Sequence, residues 1–67
     1  MKKETFLVNF FDEEGTIAST FPASTLEEAE YFAIAHIKAG ITKEATVIGF
    51  SQGKIIMYSM FKKEEHS

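Results

Sequence analysis

The sequence predicts an α+β fold of order ββαββ: a four-stranded, mainly antiparallel sheet with one helix packed on one face. Three observations predict it. Two short apolar segments flank an acidic turn, Asp12-Glu13-Glu14-Gly15; a second pair flanks Gln52-Gly53; and one capped stretch of helical period lies between them. At 67 residues the chain is one small domain, 1–67.

Residues 5–11 (TFLVNFF) are aromatic and apolar and too short for a typical helix, so they read as the first strand. The acidic turn ends in the Gly that a left-handed position wants. Residues 16–21 (TIASTF) return as the second strand, stopped by Pro22. A four-residue loop pairs Phe10 with Ile17, Val8 with Ser19 and Phe6 with Phe21 on one face. Leu7, Asn9, Phe11, Ala18 and Thr20 then share the other.

The helix is the best-defined element. Thr25-Leu26-Glu27-Glu28 forms a capping box, in which a hydroxyl and a Glu three residues later close two orphan amide groups. Glu27, Glu28 and Glu30 lie early, where the helix dipole favours anions, and Lys38 lies near the other end. Leu26, Ala29, Ala33 and Ile37 form a narrow stripe with Ile34 at its margin, leaving Tyr31 and Phe32 off it as a smaller second contact surface. The small residues in the stripe predict a helix lying close against the sheet. Ala39-Gly40-Ile41 resembles a Schellman stop. Residues 45–51 (ATVIGFS) and 54–62 (KIIMYSMFK) are the third and fourth strands, joined by the two-residue turn Gln52-Gly53.

One helix covers one face of such a sheet, and the uncovered face should be polar. Here both faces are apolar. The two-residue turn sets Ile48, Phe50, Ile55, Met57 and Phe61 on one side. Val47, Ile56, Tyr58 and Met60 fall on the other, joined by Leu7 and Phe11 of the first hairpin. A large exposed apolar patch marks an interface on a soluble protein, and Tyr and Met are enriched at interfaces. The candidate interface is therefore Leu7, Phe11, Val47, Ile56, Tyr58 and Met60. The competing expectation is that the tail Glu64-Glu65-His66-Ser67, or a bent hairpin, covers that face.

Size points the same way. A chain of this length buries only about 60% of the surface its unfolded form exposes, and small scaffolds need a staple. With no Cys and only His36 and His66, a disulfide is excluded and a structural zinc site nearly so. Self-association is the staple left.

Seven Lys, no Arg and ten acids give a net charge of −3. That argues against DNA or RNA, whose binders carry a basic, Arg-rich surface. A local patch needs Lys2, Lys3, Lys62 and Lys63 to cluster, which requires the first and last strands to be neighbours. No apolar run has signal-peptide or membrane-span length, so a cytoplasmic protein is expected. The opening Met and polar tail suit a whole small gene product.

No catalytic set stands out. His36 has Ala33 at i−3 and Gly40 at i+4, so no metal-ligand spacing surrounds it, and a packing role is expected. Asp12, Glu13 and Glu14 lack the alternating ligands of a calcium loop. Ser24 and Thr25 read as caps, and the four glycines follow no phosphate-loop spacing. No cofactor or metal is expected.

Two resemblances follow from these motifs. Thr25-Leu-Glu-Glu-Ala29 opening the helix and Gln52-Gly53-Lys54-Ile55 turning the last hairpin resemble small bacterial and phage ββαββ domains of unknown function, which implies the fold. The acidic turn, Phe21-Pro22 and Thr25-Leu-Glu-Glu-Ala29 are similar in order to the HicB antitoxin family. That family places a further strand between the Pro and the helix, a segment missing here, and no DNA-binding extension follows. The resemblance implies a small acidic protein that blocks a partner by surface contact.

The expectation is a non-enzymatic homodimer joined through the uncovered sheet face. The outward carboxylates Asp12, Glu13, Glu14, Glu27 and Glu28 would steer a basic protein partner. The alternative is an antitoxin-like or phage-encoded inhibitor whose apolar face binds a different protein.

Overall fold

The structure, a computed structural model, describes residues 3–63. Lys2 and the tail at 64–67, with the cover proposed for it, lie outside them. The elements follow in the order β1 (Glu4–Phe11), β2 (Ile17–Ala23), α1 (Leu26–Lys38), β3 (Glu44–Ser51) and β4 (Lys54–Lys62). The sheet is antiparallel throughout, with strand order β2-β1-β3-β4. The ββαββ order and α+β class are those the sequence predicts.

Local chemistry fixes the ends of each element. Asp12 folds the first turn: its Oδ1 accepts from the backbone N–H groups of Glu14 and Thr16, both at 2.9 Å, and Gly15 takes φ 85°. The Thr25 hydroxyl accepts from the Glu28 N–H at 3.1 Å and starts α1. At the other end Gly40 sits at φ 78°, and the N–H groups of Gly40 and Ile41 reach the carbonyls of Ile37 and His36. That is the Schellman pattern expected. Buried Thr42 then ties the exit of the helix to the sheet, its one hydroxyl hydrogen shared between the carbonyls of Phe11 and Glu44, each at 2.9 Å.

The helix lies over β1 and β3, the middle strands. Ala29 and Ala33 are fully buried, so its backbone approaches the sheet closely. The stripe differs from the expected one in its large members. Phe32 and Ile37 pack on the core, whereas Leu26 and Ile34 are exposed and Tyr31 is more so. Phe32 meets Phe10 and Phe21 edge to face, which draws that side of the helix inward and corrects the reading of Tyr31 and Phe32 as one outer surface. The core itself is thin. Of its eight fully buried apolar members, Ala23, Ala29, Ala33 and Ala45 bring a single methyl each.

Two irregularities correct the strand registers. In the first hairpin Phe6 faces Ala23, Val8 faces Phe21 and Phe10 faces Ser19, two residues along from the expected pairs, with a shift between Phe10 and Phe11. The faces survive, because a shift of two preserves side-chain parity. Ile17 alone changes sides and pairs with Phe11. β2 also runs through Pro22 instead of ending there, tolerated because β2 is an edge strand.

In the second hairpin the turn is as expected, with Gln52 at φ 54°, Gly53 at φ 77° and Ser51 facing Lys54. Beyond it β4 carries one extra residue: Phe50 faces Ile55 but Gly49 faces Met57, leaving Ile56 as the bulge. Every later residue of β4 thereby changes partner. Val47 meets Ser59, not Tyr58, and Met57 and Phe61 turn to the helix side.

Candidate interaction surface

The face of the sheet turned away from α1 is built in rows, one residue from each strand. Pro22, Leu7, Ile48 and Tyr58 form one row across all four strands, and Thr5, Phe50 and Ile55 the row beside it. On the other side come Thr20, Asn9, Thr46 and Met60, and then Phe11 with Ile17. Tyr58 is 58% exposed and Met60 48%, both large side chains on an edge strand with no element of the described residues above them.

Polar chemistry runs through the middle of this apolar face. The Thr20 hydroxyl donates to Asn9 Oδ1 at 2.8 Å, and Asn9 Nδ2 donates to Thr46 Oγ1 at 3.3 Å. Asn9 is only 7% exposed and Thr46 2%. No element of the described residues lies over this face; the nearest same-face residues are Leu7 and Phe11 along β1, Ile48 along β3 and Met60 opposite. No buried side-chain N or O atom among the described residues lacks a hydrogen-bond partner.

Charge is nearly absent here. The charged strand residues are Glu4, Glu44, Lys54 and Lys62. Glu4 and Lys54 share the row of Ser51 on the helix side, and only Glu44 and Lys62 occupy the open face, as direct cross-strand partners of opposite sign.

Of the six residues expected at the interface, Leu7, Phe11, Tyr58 and Met60 come together on this face. Val47 does not: it is 0% exposed and belongs to the core between Val8 and Ser59. Ile56 is half-exposed at the bulge, opposite no single residue of β3. Ile48, Phe50 and the Thr20–Asn9–Thr46 ladder belong to the face and were not among the six. The alternation along β1 already places Asn9 and Thr20 together; Ile48 and Phe50 join them because Leu7 pairs with Ile48, a register between β1 and β3 that leaves no mark in the residue types.

Elsewhere, His36 is half-buried, stacked on Phe10 at 4.4 Å, with Nδ1 2.9 Å from the Phe32 carbonyl. A cleft of about 700 Å³ lies between the acidic turn and the helix exit, lined by Phe11, Asp12, Ile41 and Thr42 among others. The described residues contain no group of three or more His, Asp or Glu placed to hold a metal. The carboxylates Asp12, Glu13, Glu14, Glu27 and Glu28 are all exposed. Among the described residues, Lys3 does not cluster with Lys62 and Lys63. β3 separates β1 from β4, and Lys3 precedes the Ser51 end of the sheet while Lys62 and Lys63 lie at the Glu44 end. No helix of the described residues is long and apolar enough to cross a membrane.

Comparison of the chain with protein-family models, with curated proteins and with solved structures finds no match in any of the three.

Proposed function

We propose that this chain is a non-enzymatic, cytoplasmic protein-interaction module that works as a homodimer, two copies meeting through the open faces of their sheets. The observation that carries the reading is the row Pro22–Leu7–Ile48–Tyr58, an apolar band crossing all four strands with no layer of the described residues above it. A two-layer domain with a thin, alanine-rich core gains most from adding a third and fourth layer.

Three features favour a second copy as the occupant. The chain carries a net charge of −3, yet this face holds one acid and one base side by side, so two copies meet there without net repulsion. The central polar groups already hydrogen-bond to one another in the Thr20–Asn9–Thr46 ladder, which lowers the cost of covering them. The area suffices for a modest interface. Four strands about 4.8 Å apart, each about seven residues of 3.3 Å, span roughly 440 Å² in projection, and protruding side chains add to it. That lies at the small end of specific interfaces and implies a dimer in reversible exchange. The outward carboxylates then steer the dimer to a basic protein partner.

Tyr58→Glu tests the reading. The residue is exposed in the single chain, so the variant keeps its far-UV circular dichroism, and by light scattering it falls to 7.5 kDa where the parent has twice that mass. A parent and variant of equal mass would contradict the proposal; if both are monomers, the face is left for a different protein, as the antitoxin-like alternative requires.

A further inference from the structure

We infer that Asn9 sets the register in which two copies meet, an inference that rests on the dimer reading above. Asn9 and Thr46 occupy the centre of the open face. They sit on the two middle strands, with the Leu7–Ile48 pair on one side of them and Phe11 on the other. A two-fold axis through that centre lays the Thr20–Asn9–Thr46 ladder of one copy over the same ladder of the next.

Asn9 has a donor to give there. Its carbonyl oxygen accepts from Thr20, and one amide hydrogen goes to Thr46. The amide carries two hydrogens, and the second is not engaged by any described residue. Sheets stacked face to face lie about 10 Å apart with strands aligned to within about 30°, so their side chains interdigitate. In the centred register the second hydrogen meets the hydroxyl or amide oxygens of the facing ladder. A slip of two residues, about 6.8 Å along the strand, sets it against the Leu7–Ile48 row, where no side-chain acceptor stands. The apolar rows discriminate far less, because Leu, Ile, Phe and Met side chains repack on one another with small loss. A lone buried Asn fixes register and partner number in coiled coils by the same logic.

Solution NMR of the full chain, run beside light scattering, decides the point. The parent is expected at dimer mass with one set of amide signals. Asn9→Leu should keep the dimer mass and show doubled or broadened signals at Ile48, Tyr58 and Met60, as several registers become equivalent. Asn9→Val, shorter and β-branched, serves if the Leu variant does not fold. Thr25→Ala removes the helix cap, away from the ladder, so it should lose stability and keep one set of signals. Asn9 variants that remain dimers with one sharp set would overturn the register role alone. A parent that is monomeric throughout would overturn the dimer reading and this inference with it.

Discussion

The ring of Phe6 lies against the bare Cα of Gly49, its cross-strand partner, so closely that a β-carbon at 49 would stand 2.9 Å from Phe6 Cε1 and 2.8 Å from Met57 Cγ. Glycine at this position is a packing requirement, since its φ is not among the positive ones. Gly49→Ala should destabilise the fold by about 1–3 kcal/mol, because a well-packed core accommodates an added methyl only by moving its neighbours. Urea unfolding measures this; an unchanged midpoint would show that the Phe6 ring and Met57 give way freely.

Val47 and Ile48 are adjacent in sequence and point to opposite fates. Val47→Lys places a charge in the fully buried layer under α1 and should abolish folding at any concentration. Ile48→Lys places it in the row with Leu7 and Tyr58 and should leave circular dichroism intact while weakening association at least tenfold. The reverse pattern would put Val47, not Ile48, on the side of Leu7 and contradict the pairing of β1 with β3.

The helix cap gives a smaller, local effect. Thr25→Ala removes the hydroxyl that accepts from the Glu28 N–H and should cost about 1 kcal/mol, with Thr25→Ser retaining most of it. Equal thermal midpoints for Thr25→Ala and the parent would mean that another group closes the N-terminus.

Acid sensitivity should come in part from the first turn. The Thr16 N–H, bonded to the Asp12 carboxylate, holds its pKa below the ordinary 3.8; partial desolvation opposes this and the Glu14 N–H assists it. A lowered folded-state pKa contributes stability above the unfolded value that is lost as pH falls through the folded one. The stability difference between the parent and Asp12→Asn should therefore be constant near neutrality and shrink as pH drops below 3.8. A difference that grows on acidification would contradict the assignment.

Much of this architecture is legible in the residues, for definite reasons. Thr25, Gly40, Gly15 and Gln52-Gly53 act through their own backbones, so caps and turns can be read one residue at a time. Register is different. Ile56 is an ordinary strand former, and nothing in its type announces a bulge; its insertion turns Met57 and Phe61 inward and leaves Val47 opposite Ser59. The candidate face survives in outline because β1 has no bulge within Glu4–Phe10, so Leu7 and Asn9 keep the side that alternation gives them. Pro22 reads as a stop because it lacks an N–H, a reason that fails on an edge strand, where one side of the ladder has no partner.

Whether two copies join through the open face is decided by the mass of the purified chain across a dilution series from millimolar to submicromolar concentration. Twice 7.5 kDa is expected at the concentrated end, falling smoothly to 7.5 kDa on dilution through the micromolar range. A mass of 7.5 kDa at every concentration would contradict it.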